Sequence, residues 1–148
     1  MPGRIGVIRP RVIVGAATLL GLYSTFLAYY YVSTFGSSDK QPFWLLLLLN
    51  LQYWYSWALV TPAVLWLSRR APLERGRLWT SVPAHLAGVA LATFLHVSLV
   101  TLGRAAIERF HPMPGGDWLM QFQRMFFLNF DWEMMTYWSI VGLAHALR

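Results

Sequence analysis

The 148-residue chain contains no cysteine. That excludes disulfides, thiolate metal sites and a cysteine nucleophile, and it leaves the redox compartment open. Charge is scarce as well: 12% of residues are Asp, Glu, Lys or Arg, about half the fraction of an average soluble domain. Only 6 acids stand against 12 basic residues, for a net charge of +6. Such a balance can signal nucleic acid, but here the basic residues flank apolar runs and do not form a soluble face interleaved with aromatics, so no nucleic-acid partner is expected. The spacings of familiar catalysis are missing too. There is no HExxH, no Walker sequence, no Ser-His-Asp arrangement and no carboxylate cluster, and therefore no catalytic residue and no metal site to name. No internal repeat or low-complexity tract is visible.

What fills the chain is apolar: 57% hydrophobic and 16% aromatic residues. The stretch from Trp44 to Leu67 carries no charge and is long enough as a helix to cross a hydrocarbon core of roughly 30 Å. Arg69, Arg70, Arg75 and Arg77 follow it against the single acid Glu74, and short basic loops of this kind stay on the cytoplasmic side. Ahead of it, Arg4, Arg9 and Arg11 precede an apolar run from Val12 to Val32 that is too long for a signal-peptide core and ends in the interfacial triplet Tyr29, Tyr30 and Tyr31. The polar turn from Ser33 to Pro42 joins these two spans.

A third apolar span covers Trp79 to Gly103, with His85 and His96 as its strongly polar members and Ala84, Gly88 and Ala92 forming a small-residue ridge that admits a neighbouring helix. The chain then turns mixed and breaks around His111 to Gly116 before a fourth span from Met125 to Leu147, which contains Asp131 and Glu133. Of the 12 Lys and Arg residues, this topology puts eight inside (three, four and one) and four outside (one and three). The expected fold is therefore all-α: a single polytopic domain of four transmembrane helices in a bundle (about 12–32, 44–67, 79–103 and 125–147), with both termini cytoplasmic. The chain ends on Ala-His-Ala-Leu-Arg, a helix in mid-course without a stop signal, so a continuation beyond it is expected.

The run from Thr61 to Arg77, then His85 and His96, then Tyr137 to Ala146 together resemble the amino-terminal membrane region of LytS/AlgZ-like sensor histidine kinases. The resemblance covers the chain from about Trp44 onward. It implies a bacterial inner-membrane, multi-pass sensor or anchor module of a two-component system, working as a homodimer, followed by a cytoplasmic kinase core and answering to a LytTR-type response regulator. The phospho-accepting histidine motif and the ATP-binding boxes of that family are not among these 148 residues, and none of the four histidines matches the phospho-acceptor. The alternative from another class is a small integral membrane protein that binds a cofactor or transports a solute and is complete as it stands.

Helical periodicity gathers Asn50, Trp54, Trp57, Thr61 and Ser68 on one side of the second span, and Asp131, Trp138, Gly142 and His145 on one side of the fourth. Polar groups are costly in hydrocarbon, so these faces should turn into the bundle. Asn50, Trp54, Trp57, His96, Asp131 and Trp138 are the candidate ligand-binding or sensing residues. Asn50, His96 and Asp131 are expected at one depth, with His96 coupled to Asp131, and Glu133 on the opposite face is expected to be solvated or to meet a second subunit. His85 and His145 are the one histidine pair placed for haem ligation, but His111 lies in a loop and His96 has no histidine at its depth, so no cofactor is expected.

Overall fold

The computed structural model describes residues 9–36, 41–74, 76, 78–111 and 117–146. Arg4, the loop at 37–40, Arg75, Arg77, the break at 112–116 and the last residues 147–148 lie outside the described part. All regular structure among the described residues is α-helix: α1 Pro10–Phe35, α2 Phe43–Arg70, α3 Leu78–Glu108, α4 Trp118–Leu128 and α5 Phe130–Ala146. α1, α2 and α3, of 26, 28 and 31 residues, are each long and apolar enough to cross a membrane. Leu19, Leu59, Leu91, Leu102 and Leu143 remain 58–70% exposed, surface that suits lipid far better than water.

Local chemistry explains the ends. Pro10 opens α1, where its missing N–H costs nothing, and the Gly36 N–H closes the helix on the Val32 carbonyl at 3.1 Å. Arg69 and Arg70 occupy the last turn of α2, where positive charge complements the helix dipole.

The expected fourth span, by contrast, is interrupted. Asn129 leaves helical geometry (φ −111°, ψ 13°), taking the last bond of α4 on its N–H (to Met125, 3.2 Å) and the first bond of α5 on its carbonyl (from Glu133, 3.0 Å). Asparagine favours such ends because its short amide competes for the local backbone. α5 alone, at 17 residues, is about 25 Å long.

The chain forms two compact units that divide within α2, between Leu59 and Val60. In the unit of α1 and the first part of α2, the helices run antiparallel. Gly21 lets them touch, since a Cβ there would stand 2.8 Å from Leu51 Cδ2 and 3.3 Å from its Cα. Trp54 Nε1 donates to Ser24 Oγ (2.9 Å), and the Thr18 and Tyr55 hydroxyls meet at 3.0 Å. Phe43 closes one end against Phe26 and Tyr29, with ring centroids 5.8 and 5.4 Å away.

The other unit is built on α3, against which both α4 and α5 pack. α3 buries Ser81, His85, Val89, Ala92, Thr93, His96, Val97, Val100 and Thr101, a stripe at the i, i+4 and i+3 spacings of one helix face. α5 answers with Glu133, Tyr137 and Val141, and α4 buries nothing but sets Phe122 edge-on to Phe94 at 5.8 Å.

Candidate functional site: a buried polar seam on the third helix

Two polar contacts tie α5 to α3. In the first, His96 Nδ1 lies 2.7 Å from Glu133 Oε2, with the two side chains 0% and 1% exposed. A carboxyl group and an imidazole at this distance, shut away from water, each offset part of the cost of the other's burial. Glu133 also sits in the first turn of α5, where the exposed helix N–H groups favour a negative charge.

The second contact is a three-way node. His85 is fully buried. Its Nε2 stands 2.9 Å from the Ala71 carbonyl just past α2, and its Nδ1 stands 2.9 Å from the Tyr137 hydroxyl on α5. A carbonyl can only accept, so Nε2 carries a hydrogen, while Nδ1 and the Tyr137 hydroxyl share the second bond. Four residues earlier on the same face, Ser81 donates to the Pro72 carbonyl at 2.8 Å. α3 thus supplies donors to two carbonyls of the turn that follows α2. Gly88 makes room for the node, because a Cβ there would collide with Leu67 and come within 2.5 Å of the Tyr137 hydroxyl. Trp138 lies with its ring centroid 5.5 Å from that of His85.

Between the two contacts Thr93 is fully buried, and its hydroxyl has no hydrogen-bond partner among the described residues. Thr25, Ser56, Ser98 and Thr101 each bond to the carbonyl four residues back. Thr93 is one turn from His96 and on the same side of α3, so the seam holds an unmet polar group beside its buried pair.

The candidate residues divide between the units. Asn50, Trp54 and Trp57 belong to the α1 unit. Asn50 is half-buried and donates to the Leu46 carbonyl of its own helix at 2.8 Å, Trp54 bonds to Ser24, and Trp57 is 2% exposed. His96 and Trp138 belong to the α3 unit and reach the seam.

The partner expected for His96 is corrected. Asp131 is exposed and Glu133 is buried. Residues two apart on a helix point about 200° away from each other, so only one of the two can face α3. The rotation of α5, set by Glu133, Tyr137 and Val141, selects Glu133. Those three residues recur at i, i+4 and i+8, a stripe present in the sequence beside the competing one through Asp131, Trp138, Gly142 and His145. As for haem, His145 is exposed, and both ring nitrogens of His85 are taken by Ala71 and Tyr137.

No protein-family model, curated protein or solved structure matches this chain.

Proposed function

We propose that this chain is the membrane-embedded sensory region of a two-component histidine kinase of the LytS/AlgZ-like type. The observation that supports this reading best is the His85 node, where the separated stretches of resemblance meet: the end of the Thr61–Arg77 run at Ala71, His85 from α3, and Tyr137 from the Tyr137–Ala146 run.

In this reading the module has four spans, the last formed by the α4–α5 arm, and both termini are cytoplasmic in a bacterial inner membrane, as the arginine distribution favours. α5 leads toward the kinase core and is held to α3 at Glu133 and Tyr137, one turn apart. A stimulus that loosens the His96–Glu133 contact alters the rotation of α5 about its Tyr137 anchor, and a homodimer passes that change to paired kinase cores and a LytTR-type regulator.

The test joins residues 1–148 to the cytoplasmic core of a LytS/AlgZ-like kinase in membrane vesicles and measures autophosphorylation. Tyr137→Phe and Glu133→Gln should each change the rate at equal protein level. Rates equal to those of the same core anchored by an unrelated helical pair would overturn the sensory reading. The buried His96–Glu133 pair also favours a second reading, since ionisable groups inside membrane helices mark proton and solute pathways. Proton or solute flux through proteoliposomes of the chain alone, abolished by Glu133→Gln, would favour that reading over the first.

A further inference from the structure

A cavity of about 460 Å3 opens beside the turn between α2 and α3, lined by Arg70, Ala71, Pro72, Gly76, Trp79, Thr80 and Ser81. Its size falls within the range of small-molecule sites. Hydrogen bonds hold part of its wall. The Ala71 N–H returns to Leu67 at 2.8 Å, the Glu74 N–H to Pro72 at 3.0 Å, and Ser81 holds the Pro72 carbonyl from α3. Arg70 is exposed and makes no ion pair among the described residues, and its guanidinium lies over the Trp66 ring, 5.5 Å from the centroid. Trp66 and Trp79 are 58% and 95% exposed. Glu74, the one acid of the turn, is exposed and does not line the cavity.

α2 and α3 are both of membrane-spanning length and the turn between them is short, so the cavity lies at the depth of lipid headgroups whichever leaflet it faces. Exposed tryptophans are the side chains that settle at that depth. A planar guanidinium pinned on an aromatic face is pre-organised to grip phosphate through paired N–H donors. We infer that this cavity binds a phosphate group, and its position favours the headgroup of an anionic phospholipid over free phosphate as the source. The inference rests on α2 and α3 crossing a bilayer, and it is independent of the kinase reading.

The full chain in neutral detergent is titrated with dioctanoylphosphatidylglycerol and, separately, with inorganic phosphate, and bound ligand is counted by native mass spectrometry. Saturable binding of the lipid is expected, weakened about tenfold by Arg70→Gln, in line with loss of a charge-assisted contact. Arg124→Gln, an exposed charge on another helix, should stay within about twofold of wild type. Gly76→Leu fills the cavity without altering charge, at a position where a Cβ meets nothing within 4 Å, and should also weaken binding. Competition by inorganic phosphate would assign the site to free phosphate, and its absence would assign it to lipid. No saturable binding of either ligand overturns the inference, as does unchanged affinity in both Arg70→Gln and Gly76→Leu.

Discussion

Removing the imidazole of His96 takes away the group that lies 2.7 Å from Glu133 Oε2, whose side chain is 1% exposed. Truncating one member of a buried, closely paired carboxyl and imidazole costs up to ~3–5 kcal/mol, the figure for an ionised pair, because the remaining group keeps its desolvation penalty and loses part of its compensation. His96→Ala should therefore lose about that much. Glu133→Gln should lose less, ~1–3 kcal/mol, since an amide still offers an acceptor and carries no charge. His96→Leu combined with Glu133→Leu should return close to wild type, because replacing both members by apolar groups of similar volume is roughly neutral. Reversible SDS unfolding followed by tryptophan fluorescence gives the free energies, and the cycle of His96→Leu, Glu133→Leu and their combination gives the coupling, expected at or above ~1.5 kcal/mol. Asp131→Asn, at an exposed site, should stay within ~0.5 kcal/mol of wild type. Additive effects at His96 and Glu133, or an Asp131→Asn loss as large as that of Glu133→Gln, would refute the pairing.

Tyr137→Phe leaves His85 Nδ1 buried without its partner and should cost ~1–3 kcal/mol in the same assay. Gly88→Ala pushes a methyl into Leu67 and the Tyr137 hydroxyl and should cost ~1–3 kcal/mol. Gly15→Ala, where the added carbon meets nothing within 4 Å, should be neutral or stabilise by up to ~1 kcal/mol, whereas Gly21→Ala against Leu51 should destabilise. Reporter fusions after Leu73 and Arg148 should behave as cytoplasmic, and fusions at Ser38 and Gly115 as translocated; a translocated Leu73 reverses the orientation. Single cysteines along α5, in a chain that has none, should crosslink in a helical period if the chain dimerises through that helix, and a flat pattern would count against it.

The amino-acid sequence by itself determined that the chain is helical and apolar, and where its three long helices lie. Those properties follow from run length, charge depletion and the arginines at the end of α2, all of which are local. It also marked His85 and His96 as inward, since polar groups on an otherwise apolar span have few other places to go. Only the tertiary structure decided which acid His96 meets. Asp131 and Glu133 sit on two competing faces of α5, and the choice between them depends on how Tyr137 slides past Gly88 toward His85, a fit between side chains on different helices that no periodicity within one helix encodes. The break at Asn129 has the same character. A single asparagine in an apolar run can be absorbed into a helix or can end it, and it ends α4 here where the chain passes from the Phe122–Phe94 contact to the Glu133–His96 pair, both made against α3.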